Sequence, residues 1–213
     1  AFTFHGTGTY ILGEGTVAVI DPGPDLDEHF AALAAALEGE TVSHILVTHT
    51  HRDHSPLAAR LKAATGASTY AFGPHGTRRA GPRVEEGADY DFDPDIALRD
   101  GERFEAAGRT VEAVHTPGHT SNHLCFALPE DGTFFSGDHV MGWSTTVVSP
   151  PDGDMHAYFA SLRKLLDRNE TVYWPTHGTA IRKPRRFVQA LIGHRRLREE
   201  QIMACLRDGL HTI

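Results

Sequence analysis

Three observations predict an α/β fold. Strand-like and helix-like stretches alternate along the chain with no low-complexity linker between them. Four apolar runs, Ile45-Leu46-Val47, Val111 to Val114, Phe134-Phe135 and Val172-Tyr173-Trp174, are each followed within a few residues by histidine or aspartate, so four strands are expected to deliver these groups to one edge of a sheet. A hydrophobic content of 40% over 213 residues suffices for a sizeable core in one domain spanning 1–213.

The elements follow in order. Tyr10-Ile11-Leu12 and Val17 to Ile20 read as a hairpin turning at Gly13-Glu14-Gly15. A helix is expected from near Asp25, with Glu28 as its capping-box partner, Leu26, Phe30, Leu33 and Leu37 on one face, and a stop at Gly39. A second helix carries Leu57 and Leu61, stops at Gly66, and has His54 at its N-terminus. Residues 74–100, rich in Gly, Pro and Asp, are the least regular stretch. Cys125 falls in the alternating run from His123 to Leu128, a core position. A third helix from about Asp154 turns Met155, Tyr158, Phe159, Leu162, Leu165 and Leu166 inward. The last covers roughly 184–207, with Cys205 expected in the core beside Ile202 and Leu206.

Charge is distributed unevenly. From Arg182 onward eight Lys or Arg stand against three acids, a net +5; the whole chain is −8, which leaves −13 for residues 1–181. The basic C-terminal helix suits an anionic partner such as RNA, or is a solvated face of Glu and Arg. No apolar run approaches the roughly 20 residues needed to cross a bilayer, and two cysteines make no disulfide framework, so no membrane association and a cytoplasmic location are expected.

Seven side chains carry the chemistry: His49, His51, Asp53, His54, His119, Asp138 and His177. His49 and His51, two apart at the end of an extended segment, can address one ion, while Asp53 and His54 in the following turn reach a neighbouring one. Imidazole and carboxylate suit zinc, with iron and manganese as alternatives, and the lack of nearby thiolate argues against a closed structural zinc site. Two divalent ions about 3.5 to 4 Å apart can share a hydroxide and polarise a carbonyl or phosphoryl oxygen. Asp138 is the natural bridge, having one oxygen for each ion.

The run His49-Thr50-His51-Arg52-Asp53-His54, followed in order by His119, Asp138 and His177, resembles the H-x-H-x-D-H pattern of the metallo-beta-lactamase superfamily. Asp21-Pro22-Gly23 also resembles the turn with which these domains open. The resemblance implies a four-layered αββα sandwich. It also implies that His49, His51 and His119 hold one ion, Asp53, His54 and His177 the other, and that Asp138 bridges. The set is glyoxalase II-like, but no helical domain follows His177 within the chain. True beta-lactamases of this fold generally lack the aspartate bridge, and flavodiiron oxidoreductases carry an acid where His51 stands. The stretches SGDHVMGWSTTVV and HRRLREEQI are similar to the beta-lactamase-like protein 2 family, a member of which is an endoribonuclease.

Other residues border this set. His115 and His123 flank His119 and are suited either to orient a ligand or to a turn and a strand end. His139, after the bridge, is a candidate proton donor to substrate, and Trp143, Met141 and Thr145 are candidate pocket walls. The expected activity is hydrolysis of an ester-type bond in a small molecule (thioester, lactone or other acyl substrate) by metal-bound hydroxide, with Asp53 handling the proton. The alternatives are cleavage of single-stranded RNA, beta-lactam hydrolysis and an iron-dependent persulfide dioxygenase-like oxidation.

Overall fold

A computed structural model describes residues 6–76 and 87–210. Among these residues ten strands and four α-helices run in the order β1 (Tyr10–Glu14), β2 (Thr16–Ile20), α1 (Asp27–Ala36), β3 (Thr41–Leu46), α2 (Leu57–Thr65), β4 (Ser68–Ala71), β5 (Ile96–Ala97), β6 (Arg103–Ala106), β7 (Arg109–His115), β8 (Leu124–Leu128), β9 (Thr133–Gly137), α3 (Met155–Leu166), β10 (Val172–Pro175) and α4 (Pro184–Arg207). They form two five-stranded sheets, β1-β2-β3-β4-β5 and β10-β9-β8-β7-β6.

Alternating side chains build the layers. Val17 and Val19 pack outward with Leu33 of α1, Leu37 just after it, and Leu57 and Leu61 of α2, while Ala18 and Ile20 face the second sheet. On β8, Leu124 and Phe126 meet the first sheet, and Cys125 and Ala127 face α3 and α4 beside Tyr158, Leu162 and Val188. Three apolar seams therefore separate helices, sheet, sheet and helices, the αββα sandwich. With a period of two, strands buried on both faces must be apolar throughout, and β8 is buried at all five positions.

Four expectations need correction. The ligand-bearing strands belong to both sheets, β3 to the first and β7, β9 and β10 to the second, so the ligands meet at the common end of the sandwich. Helix α1 has no side-chain cap; its N-cap is Leu26, 59% exposed, and Asp25 accepts from Arg60 instead. The expected His54 start of α2 shifts to Leu57, leaving His54 in the turn before it. Cys205, Ile202 and Leu206 are exposed, because the buried apolar face of α4 ends at Ile192, Arg195 makes a further contact with the body, and the apolar stripe then runs beyond any facing element among the described residues. Asp154 does cap α3, accepting from Ala157 N–H, and Gly66 ends α2 in the left-handed region. Of the irregular stretch 74–100, residues 77–86 lie outside the described residues.

Candidate metal centre

The loops leaving β3, β7, β9 and β10 bring all seven predicted ligands together. His49, His51 and His119 present ring nitrogens 3.0 to 3.2 Å apart: His49 Nε2 to His51 Nδ1 3.0 Å, His119 Nε2 to His51 Nδ1 3.0 Å, His119 Nε2 to His49 Nε2 3.2 Å. Asp53, His54 and His177 form a second trio, with Asp53 Oδ2 3.4 Å from His54 Nε2 and 3.3 Å from His177 Nε2. Asp138 stands between them: Oδ2 lies 3.3 Å from His177 Nε2 and 3.6 Å from His119 Nε2, and Oδ1 lies 3.7 Å from His54 Nε2.

The outer hydrogen bonds fix the tautomers. His54 Nδ1 donates to Asp21 Oδ2 (3.0 Å), His119 Nδ1 to Val147 O (2.6 Å) and His177 Nδ1 to Gly6 O (3.0 Å). Thr48 Oγ1 gives its proton to Asp21 Oδ2 (2.7 Å), so it accepts from His49 Nδ1 (3.0 Å). Each of these four imidazoles therefore turns its Nε2 into the cluster, where it offers a lone pair to a metal once any proton there is given up. Lone pairs cannot satisfy one another. His54 Nε2 is buried without a hydrogen-bond partner, and the first trio puts three ring nitrogens where hydrogen bonds alone leave a deficit of protons. A tetrahedral ion with bonds of about 2.0–2.1 Å sets its ligands about 3.3 Å apart, close to the spacing in the first trio and to the separations of Asp53 from His54 and His177. The donor set fits divalent cations.

The charges point the same way. Burial, and then the neighbouring His119 and His54, push the His51 pKa down to about 3, and burial with His54, His51 and His119 holds His49 well below its ordinary value. In the second trio burial opposes the charge on His177, but Asp138 and Asp53 outweigh it and raise the pKa to about 10. His54 is likewise raised despite burial, by Asp53, Asp138 and Asp21. Burial works against ionising Asp53 and Asp138, yet His54 and His177 hold both carboxyls below the usual range. His49 and His51 are held neutral, and the second trio attracts positive charge, a proton or a metal.

The bordering residues divide. His123 is buried, and its Nε2 accepts from the backbone N–H of Asp138 (3.1 Å). Gly137 leaves room for this, since a Cβ there would fall 2.7 Å from His123 Nε2. His115 is bound elsewhere, to Ser121 O at 2.9 Å and stacked on Phe72, so it orients no ligand directly. His139 is fully buried with its ring 4.9 Å from that of Tyr158, out of contact with solvent, which does not suit the proton-donor role expected of it. Met141 is buried, while Trp143 is 40% exposed.

Sequence reasoning missed several groups: Asp21, which holds His54 and, through Thr48, His49; Thr176, which donates to Asp138 Oδ1 at 2.5 Å; and Thr7, which donates to Asp53 Oδ2 at 2.7 Å. A signal was present for Thr176 and for Thr48, the link from Asp21 to His49. Thr48 and Thr176 each immediately precede a ligand histidine, and a hydroxyl placed there can reach the ligand shell.

A family model described as the metallo-beta-lactamase superfamily matches residues 3–177. The "Beta-lactamase-like protein 2 homolog" of Drosophila melanogaster is 34% identical over 95% of this chain and 69% of its own length. An "Atrochrysone carboxyl ACP thioesterase" of Aspergillus fumigatus is 34% identical over 96% of the chain and 61% of its own length. The chain spans 59% of the "Lactamase-like protein adaB" of Aspergillus niger, at 33% identity over 95% of this chain. Among solved structures, the metallo-beta-lactamase family protein TTHA1429 from Thermus thermophilus superimposes with a TM-score of 0.78 at 26% identity, covering 94% of this chain and 78% of that one. TTHA1623, solved in a di-iron-bound form, gives 0.66 at 31% identity over 83% of this chain and 89% of that one.

Proposed function

The chain belongs to the metallo-beta-lactamase superfamily, and from that premise we propose that it is a dinuclear metallohydrolase of ester-type bonds, with a thioester as the first substrate to test. The observation that carries the reading is Asp138, whose two oxygens stand between two complete trios of ligand atoms. His49, His51 and His119 would hold one divalent ion and Asp53, His54 and His177 the other, with zinc the metal best suited to the donors. Two such ions supply an activated water and an electrophilic hold on the acyl oxygen.

The protein's own groups do the rest. Asp21, Thr48, Val147 O and Gly6 O keep four imidazoles in one tautomer, so no reorientation is needed during turnover. The side chain of Asp53 keeps 31% of its surface exposed, so its carboxylate has an open side from which to accept a proton and pass it on. A thiol has a pKa of about 8.5 and departs as thiolate with little help from an acid. That suits a cluster whose nearest non-ligand histidines, His123 and His139, are sealed inside. The thioesterase name of the Aspergillus fumigatus relative supports the same substrate class.

The test is a hydrolysis panel on zinc-loaded protein with a small thioester, a lactone, a beta-lactam and single-stranded RNA side by side. Thioester turnover abolished by chelation and restored by zinc is expected. Turnover confined to RNA would replace this reading with the ribonuclease one.

A further inference from the structure

We propose that the segment 141–149 is the acyl-binding wall of this site, and that Trp143 and Val147 select substrates whose acyl group is apolar and flat. This wall presupposes the hydrolase reading and adds the class of acyl group.

The segment is tied to both trios. Gly142 N–H donates to His177 O at 2.8 Å, and Val147 O accepts from the His119 ring at 2.6 Å. Between these ends Thr146 Oγ1 reaches the carbonyls of Asp138 (2.7 Å) and His139 (3.1 Å). Whatever binds at the ligand cluster therefore lies beside this segment. On it, Trp143 is 40% and Val147 50% exposed. Among the described residues the other large exposed apolar side chains stand on β1, β5, the start of α1, or the C-terminal half of α4 and the turn after it.

The wall is also held rigid from behind. Gly142 lies so close to the chain at 178–179 that a Cβ on it would fall 2.2 Å from Thr179 O, which fixes the backbone beside Trp143. Arg195 of α4 donates to Thr146 O and lies over the Tyr158 ring, 5.6 Å from its centroid, and Tyr158 OH donates to His139 O at 3.0 Å. An exposed indole and isopropyl on a fixed backbone offer apolar area at little ordering cost, and a planar aromatic group covers an indole more fully than a short acyl chain does.

The test compares a benzoyl with an acetyl thioester of the same small thiol. In Trp143→Ala the ratio of kcat/KM, benzoyl over acetyl, should fall by about tenfold or more, and Val147→Thr, nearly isosteric, should lower it by a smaller factor. A second readout needs no turnover: binding of benzoate against acetate to the zinc-loaded protein, followed by the fluorescence of Trp143 in a Trp174→Phe background and by calorimetry for Trp143→Ala. Benzoate should bind the wild type at least about tenfold more tightly than acetate and lose that margin in Trp143→Ala. Ratios unchanged in both readouts overturn the subsite. Absence of all thioester turnover overturns the hydrolase reading instead, and the carboxylate-binding margin still decides the wall.

Discussion

Asp21 Oδ2 accepts the Nδ1 proton of His54 at 3.0 Å, with both side chains fully out of water. The same carboxylate takes the backbone N–H and the hydroxyl of Thr48, each at 2.7 Å, so one buried acid orients a member of each trio. It sits at φ 49°, a left-handed conformation that aspartate and asparagine tolerate better than most residues. Asp21→Asn preserves shape and backbone while replacing one acceptor oxygen with a donor. The expected result is zinc affinity weakened about 10- to 100-fold in a chelator competition with the fold retained; wild-type affinity would show that Asp21 does not support the ligands.

Asp138→Asn keeps the size of the bridging group and removes its charge. Turnover should drop by orders of magnitude and at least one ion should bind more weakly, read by elemental analysis after dialysis. If content and rate stay at wild type, Asp138 is not the bridge.

Arg195 differs from the other arginines of the basic helix, because its guanidinium donates to Thr146 O and lies over the Tyr158 ring. Arg195→Gln should cost about 1 to 2 kcal/mol of stability in denaturant unfolding. Replacing the exposed Arg196 and Arg198 with Gln should leave stability within about 0.5 kcal/mol. If RNA binds, its salt dependence should respond to the second pair and not to Arg195; the opposite pattern would place Arg195 at a phosphate.

Glu112 supplies a pH dependence away from the metal centre. Burial alone would raise its pKa, but hydrogen bonds and charge from Arg168 and Arg103 outweigh that and hold it below the ordinary value. A carboxyl depressed in the folded state contributes stability that is present above its unfolded pKa of about 4.3 and is lost as pH falls through the lower folded value. Glu112→Gln should therefore destabilise the protein at neutral pH and flatten the decline of stability below about pH 4. Parallel acid limbs for the two proteins would show that Glu112 contributes nothing there.

The ligands were legible because their chemistry is unusual and each follows an apolar strand; His49 to His177 converge since β3, β7, β9 and β10 all end on the same side. Helix α4 was legible to its ends for a similar local reason, a long periodic run opened by Pro184. What escaped depends on packing between elements distant in sequence. The role of Asp21 follows from the parallel pairing of β2 with β3, which sets it beside Thr48 through Asp21 N–H to Leu46 O at 2.8 Å. The misplacement of Cys205 in the core has the converse cause: periodicity identifies an apolar face, but only tertiary structure says where the facing layer stops.

Two divalent ions held by the two trios around Asp138 can be counted and placed by a zinc titration of metal-depleted protein with crystallographic location of the bound ions. Saturation is expected at two ions per chain, one among His49, His51 and His119 and one among Asp53, His54 and His177, with Asp138 touching both. Saturation at a single ion, with His54 and His177 uncoordinated, would contradict it.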